Sequence, residues 1–255
     1  MQFIDTHTHL YLPEFSEDRD EAVERAVSSG VSMMLMPNID INSVGRMLET
    51  ENRYRSNCYS MIGLHPTSVK EDYLSQLDEL ESVFSRHKFI AIGEIGIDLY
   101  WDKSFIAEQI IAMRRQVAFA IDKDLPVVIH SRDSFPEVFS VLDEFTGRKL
   151  RGVLHAFSGN ADDAARAVRM GFKLGIGGVV TFKNSGLDKV LENVGPENLV
   201  LETDSPYLAP VPHRGKRNES SYLSIINKKI ADIYGMNAEE VAVITYANSV
   251  SLFNL

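Results

Sequence analysis

Eight short apolar runs, each followed by a longer amphipathic stretch, recur along the chain, and this alternation restricts the fold more than any other feature. Each run reads as a buried β-strand: Gln2–Thr6, Ser32–Pro37, Cys58–Leu64, Phe89–Gly93, Pro126–His130, Gly152–His155, Phe172–Gly175 and Asn198–Glu202. Helical patterns lie between them at Glu17–Ser29, Asn42–Asn52, Glu71–Arg86, Ser104–Lys123, Ser134–Phe145, Ala161–Met170 and Gly186–Asn193. A last pair, Ser221–Tyr234 and Asn237–Asn248, would close the ring and cover its end. Such alternation builds βα units around a parallel sheet. Local signals agree: Ser16 precedes Glu17 and Asp18, Ser134 precedes Phe135 and Pro136, and Gly30 and Gly171 follow helical runs, as helix ends require. The expectation is an α/β fold, a distorted (β/α)8 TIM barrel.

A chain of 255 residues with 44% hydrophobic content can bury one large core, and barrels commonly reach that length as one domain. No repeat, low-complexity tract or Pro/Gly/Ser linker divides it, so residues 1–255 read as a single domain. A strand-like segment follows Met1 almost at once and reads as no signal peptide. No apolar run approaches a bilayer span. Cys58, the only cysteine, lies in a strand-like run and reads as core. Without an internal disulfide the chain suits a reducing cytoplasm. No obligate protein partner is evident.

Six potential metal ligands stand at the ends of five of these runs: His7, His9, Glu94, His130, His155 and Asp204. A barrel enzyme assembles one site from many strands in this way, at their C-terminal ends. His7 and His9 are two apart, so both side chains leave one face of the first strand and can reach one metal. Asp5 and Thr8 are read as pointing the other way, toward the backbone around the turn. Glu94 emerges among glycines after Phe89–Gly93, and a carboxylate there can bridge two cations. His130 and His155 end neighbouring strands at one height, and neutral imidazole is the commonest metal ligand. Asp204 follows the eighth strand, beside the first in a closed barrel, where it can touch the metal of His7 and His9 and take a proton from water.

The net charge of −10 argues against a broad phosphate-binding surface. Any polyanion must be held locally, by bound cations and by the compact cluster His213, Arg214, Lys216 and Arg217. That cluster equally suits a solvated loop.

The chain resembles the TatD-type metal-dependent deoxyribonucleases of the amidohydrolase-like superfamily over almost its whole length. The carrying motifs are Asp5-Thr6-His7-Thr8-His9-Leu10, Gly63-Leu64-His65-Pro66, Gly93-Glu94-Ile95-Gly96-Ile97-Asp98 and Leu125 through Asp133. Further on come His155-Ala156-Phe157-Ser158-Gly159 and Glu202 through Pro210. The resemblance implies two divalent ions, with His7, His9, Glu94 and Asp204 around one, and Glu94, His130 and His155 around the other. Glu94 stands where several relatives with the same barrel carry a carboxylated lysine, which disfavours a cyclic-amide hydrolase. Ser220 and Ser251 depart from the family pattern and bear on loop details.

The expected function is a metal-dependent hydrolase cleaving phosphodiester bonds, a deoxyribonuclease using a two-metal-activated water, with Asp204 as catalytic base and DNA as substrate. His65, ending the third strand, is placed to contact phosphate, unless it is a packing histidine before Pro66. Arg132, Arg214 and Arg217 are further phosphate candidates, although salt bridges to Asp133 or Glu219 would explain them equally well. His87 reads as surface. The alternative is an ester or amide hydrolase, for instance an aminoacyl-tRNA deacylase, with the same metals and a different rim. The donor set suits Zn, Mn or Fe, whereas nucleases of this family are described as magnesium-dependent, so Mg, Mn and Zn stay open.

Overall fold

The computed structural model describes the chain from Met1 to Leu255. Its strands are β1 (Phe3–Asp5), β2 (Val31–Met36), β3 (Cys58–Ser60), β4 (Ile92–Asp98), β5 (Val127–Arg132), β6 (Gly152–Leu154), β7 (Phe172–Ile176) and β8 (Leu199–Leu201). Its helices are α1 (Arg19–Ser28), α2 (Ile41–Arg53), α3 (Tyr73–Phe84), α4 (Ile106–Asp122), α5 (Phe135–Asp143), α6 (Ala161–Arg169), α7 (Leu187–Leu191), α8 (Leu223–Tyr234) and α9 (Ala238–Phe253).

All strand pairs are parallel and form two arcs, β1-β2-β3 and β4-β5-β6-β7-β8. Backbone hydrogen bonds join the arcs into a distorted (β/α)8 ring. At one seam Ile62 N donates to Ala91 O (3.2 Å) and Gly93 N to Ile62 O (2.9 Å). At the other, Thr6 N donates to Leu201 O (3.0 Å), Asp204 N to His7 O (2.8 Å) and His9 N to Ser205 O (2.8 Å). Pairing is thin at both seams because side chains take over ladder positions. The third run, expected as strand to Leu64, stops at Ser60: Gly63 N donates to Asn38 Oδ1 (2.7 Å) and Leu64 N to Gln116 Oε1 (2.7 Å).

The fourth strand is displaced along the sequence from the expected Phe89–Gly93. It runs on through Glu94 to Asp98 and is buried throughout, so Glu94 lies inside the strand instead of after it. His130 likewise lies within β5, two residues before its end.

Ile4, Leu35, Ala91, Val128, Val153 and Val200, from six neighbouring segments, fill the barrel interior, and Leu252 and Phe253 pack against them. Burying a Leu or Phe side chain contributes about 1.5–3 kcal/mol. That packing explains why α9 runs five residues past the expected Asn248. A larger apolar layer separates strands from helices and includes Cys58, which is buried as expected.

Gly30 and Gly171 end α1 and α6 at φ of 92° and 85°, a region open mainly to glycine. Ser134 stands at the N-cap of α5, which starts at Phe135 as expected, but its hydroxyl makes no capping bond and instead donates to Ile97 O at 2.6 Å, tying β5 to β4. Ser16 lies outside α1, whose first residue is Arg19. Capping boxes not foreseen in the sequence open α2 (Asp40 with Ser43), α6 (Asn160 with Asp163) and α9 (Asn237 with Glu240).

Candidate metal centre

The six sequence-selected groups converge at the C-terminal ends of the strands, around Glu94. Its two oxygens face different partners. Glu94 Oε2 lies 3.2 Å from His7 Nε2 and 3.7 Å from His9 Nε2, with Asp204 Oδ1 3.7 and 3.5 Å from the same two nitrogens. Glu94 Oε1 lies 2.9 Å from His130 Nδ1, 3.6 Å from His155 Nε2 and 3.3 Å from His65 Nε2. A cation about 2.0–2.2 Å from each donor holds tetrahedral neighbours roughly 3.4 Å apart, so these spacings fit coordination without rearrangement. Donor atoms within 4.8 Å of one another form three groups: His7 with His9 and Glu94, His7 with His155 and Asp204, and His65 with Glu94 and His130.

For His9, His130 and His155 the group on the far side of the ring bears on which nitrogen faces the site, whereas His7 Nδ1 is buried without a partner. Tyr11 donates its hydroxyl to Pro37 O (2.7 Å) and must accept from His9 Nδ1 (3.1 Å), which leaves His9 Nε2 bare toward Asp204. Asp98 Oδ2 accepts from His130 Nε2 at 2.9 Å, which fixes that proton and leaves Nδ1, 2.9 Å from Glu94 Oε1, as the nitrogen a cation would take. Glu202 Oε1 lies 3.0 Å from His155 Nδ1, so Nε2 of that ring faces Glu94 and Asp204. Carboxylates behind imidazoles fix the tautomer of metal-binding histidines in this way. His65 is arranged in reverse. Its Nδ1 accepts from Thr67 N at 3.2 Å, so Nε2 carries the proton and His65 presents a donor to the site.

Strand geometry explains the convergence. The register pairs Ile129 with Leu154 and Gly96 with His130, which sets His130 level with His155. A side chain at Gly96, whose φ is 142°, would collide with the carbonyl of His130. One at Gly175 would occupy the space of the Glu202 carboxylate. β1 ends at Asp5 and His7 and His9 lie beyond it, yet both rings reach the same point as expected, with their Nε2 atoms 3.3 Å apart. Asp5 still serves the backbone: it accepts from Thr203 N (3.0 Å), His7 N (3.3 Å) and the Thr203 hydroxyl (2.6 Å). The Thr8 hydroxyl meets that of Ser205 at 2.7 Å.

Burial opposes a charge on His155, but Glu202, Glu94 and Asp204 outweigh it and push this imidazole up to about 10. His130 is also raised, because Asp98 and Glu94 overcome its burial. Burial lowers His7, with His155 adding repulsion, and lowers His65. Burial would raise the carboxyl of Glu94, yet His65, His7 and His155 hold it well below the usual range; Asp204 is lowered by the same contest. Burial pushes Asp5 up to about 7. Four buried or nearly buried carboxyl groups, Glu94, Asp98, Glu202 and Asp204, thus crowd five imidazoles. The donor set, with Nε2 of His7, His9 and His155 and Nδ1 of His130 aimed inward, fits divalent cations.

A cleft of about 580 Å³ opens over the centre, lined among others by His65, Trp101, Arg132, Ser158 and Tyr207. His65 and Arg132 therefore line the cleft, whereas Arg214 and Arg217 are not among the lining residues. Arg132 makes no ion pair with Asp133; its guanidinium lies 3.8 Å over the ring of Tyr100. Arg217 is committed elsewhere, donating to Asp18 Oδ1 (2.5 Å), Asp18 Oδ2 (2.7 Å) and Glu14 O (2.8 Å), so the loop it occupies is clamped to the start of α1. Arg214 stacks on Phe182 at 4.5 Å, and His213 on Tyr222 at 4.1 Å. His87 is exposed, as expected. The sequence reading gave no role to Asp98, Glu202, Tyr11 or Thr67. For Asp98 the signal was present, since Glu94, Gly96 and Asp98 share a face at period two.

Comparison with known proteins places these features in context. The family described as TatD related DNase matches residues 4–254. "Uncharacterized metal-dependent hydrolase YabD" of Bacillus subtilis is 36% identical over 252 residues, 98% of each chain. "3'-5' ssDNA/RNA exonuclease TatD" of Pectobacterium parmentieri is 30% identical over 257 residues, 98% of this chain and 99% of that one. Among solved structures, the TatD homologue YjjV of Escherichia coli K12 superposes with a TM-score of 0.92 at 30% identity, covering 99% of this chain and 98% of that chain. No helix is long and apolar enough to cross a membrane.

Proposed function

This chain belongs to the TatD-related DNase family, and on that premise we propose that it is a metal-dependent phosphodiesterase acting on DNA, with two divalent cations (Mg, Mn or Zn) at the centre described above. One observation carries the reading: the two oxygens of Glu94 face two sets of histidines, His7 and His9 on Oε2, and His130, His155 and the proton donor His65 on Oε1. A single carboxylate so placed would serve two ions. Two bound cations supply Lewis acidity and counter-charge for the reacting phosphate.

The chain's own groups do the rest. Asp204 Oδ1, within 4 Å of His7, His9 and His155, orients the attacking water and takes its proton. Its carboxyl is held below the usual range, so it is ionised and able to accept at neutral pH. His65 Nε2–H donates to a phosphate oxygen, the role its tautomer prepares. Arg132, free of any carboxylate at the cleft wall, adds local positive charge. Asp98, Glu202 and Tyr11 hold the rings of His130, His155 and His9 in the tautomers coordination needs.

The test is activity of metal-reconstituted protein on single-stranded DNA, duplex DNA, RNA and a panel of small carboxylic esters. Hydrolysis of DNA is the expected result. Turnover confined to esters, or to an aminoacyl ester of tRNA, would replace the reading with the deacylase one.

A further inference from the structure

The most exposed aromatic side chains of this protein stand at the rim of the metal cleft. Trp101 is 69% and Tyr100 54% solvent-accessible, and water is a poor neighbour for rings of that size. The two rings meet edge to face with centroids 5.0 Å apart. Arg132 lies over both, 3.8 Å from the Tyr100 centroid and 5.4 Å from that of Trp101. Its charge is paired with no carboxylate, so the cluster presents a π-face and a free cation together. Trp101 and Arg132 both line the cleft that contains His130, Glu94 and Asp204.

The cluster is also pinned to the metal centre. Asp98 Oδ1 accepts from Tyr100 N (3.0 Å) and Trp101 N (3.2 Å), while Oδ2 accepts from His130 Nε2 (2.9 Å). One carboxylate therefore fixes the loop that carries the aromatics relative to a metal-site histidine. A ring used for packing needs no such registration.

We propose that Tyr100, Trp101 and Arg132 form a stacking platform for an unpaired nucleobase adjoining the phosphate held at the centre, making Trp101 a determinant of single-strand preference. This rests on the phosphodiesterase reading above. Every base has a π-face, so the platform selects for unstacked bases and is tolerant of their sequence. Arg132 contributes to the base by cation–π contact and to the neighbouring phosphate by charge.

The chain contains one tryptophan, so its emission reports on this position alone. Metal-loaded protein carrying Asp204→Asn, to halt cleavage, is titrated with a single-stranded deoxyoligonucleotide, an abasic strand of equal length, and a blunt duplex. The single strand is expected to quench Trp101, and the abasic strand to leave emission unchanged and bind about 5- to 150-fold more weakly, the range for loss of one stacked base. In the otherwise wild-type chain, Trp101→Ala is expected to abolish the preference for base-bearing over abasic strands in kcat/KM, with Trp101→Phe restoring it. Equal affinity for both strands with unmoved emission would overturn the platform, and so would a protein-concentration-dependent emission shift that nucleic acid does not alter, which would assign this face to a second copy of the chain. The two readings fail separately. Quenching and preference in binding without cleavage of any strand would sink the phosphodiesterase reading alone, whereas equal cleavage of both strands would sink the platform alone.

Discussion

Replacing Asp98 with Asn perturbs the centre by moving one proton. Asp98 Oδ2 accepts from His130 Nε2, and Oδ1 from the amides of Tyr100 and Trp101. In Asp98→Asn, Oδ1 can still serve both amides, so the new NH2 faces His130 Nε2. Two donors cannot pair. The imidazole must then carry its proton on Nδ1, the atom 2.9 Å from Glu94 Oε1, and the lone pair aimed into the site is lost. Flipping the amide sets its NH2 against two backbone donors instead. Partners of this kind are worth about 10- to 100-fold in metal affinity, or about 1.4–2.7 kcal/mol. Asp98→Ala frees the choice of tautomer and is expected to cost less than the near-isosteric Asn. Competition between each metal-free variant and a chromophoric chelator for zinc measures the affinity, with thermal unfolding as a control for folding. The argument is refuted if Asn binds within twofold of wild type, or if Ala binds more weakly than Asn.

Asp204→Asn is expected to reduce turnover by at least about 100-fold, the lower range for a general base, while the ion on the His130 and His155 side is retained; nuclease assay with metal analysis checks both. Glu94→Gln is expected to lower the occupancy of both ions, and loss of only one, counted per chain by elemental analysis, would show that it does not bridge. At neutral pH metal-free His155, pushed up to about 10 by Glu202, Glu94 and Asp204 against its burial, holds a proton that a cation must displace, so log affinity should rise by about one per pH unit per proton released from pH 7 to 9, as titration calorimetry in two buffers would show. The sign for stability is opposite: the contribution of charged His155 to the metal-free fold is complete below about 6.5 and disappears as pH rises through about 10, so its Tm should fall over that window. Arg217→Ala should lower stability by about 1 kcal/mol through loss of the partly exposed Asp18 pair, with oligonucleotide affinity unchanged; a marked loss of binding would return Arg217 to the substrate.

Much of the barrel could be read from the chain because its strands are buried on both faces and stand out as continuous apolar runs. The one run misplaced by several residues is the fourth. Local pattern ends this strand at its first charge, yet Ile92–Asp98 stays buried through Glu94 and Asp98. Burying a carboxylate is costly unless it is paired, and the pairing comes from His7, His65, His130 and His155, which are remote in sequence. Local periodicity contains no trace of those partners, so a boundary drawn from it falls at the charge. The third strand failed in the opposite sense: Gly63 and Leu64 look strand-like, but their amides go to the side chains of Asn38 and Gln116.

The same reasoning separates what could be foreseen at the site. Residues whose side chains meet through strand register, such as His130 and His155, follow from counting along the runs. Glu202 was within reach too: directly after β8 it keeps the alternation of Val200, and Gly175 on the neighbouring strand leaves room for it beside His155. The arginines were only partly within reach: Arg217 does lie 3.8 Å from Glu219, but a guanidinium is defined by its nearest partner and not by its position. Arg217 finds Asp18 across the chain and is consumed in a clamp. Arg132 finds no carboxylate and lies on Tyr100 instead. An acidic chain that must hold a polyanion has few cations to spend on it, so one arginine left unpaired at the mouth of the cleft matters more than a cluster of them in a loop.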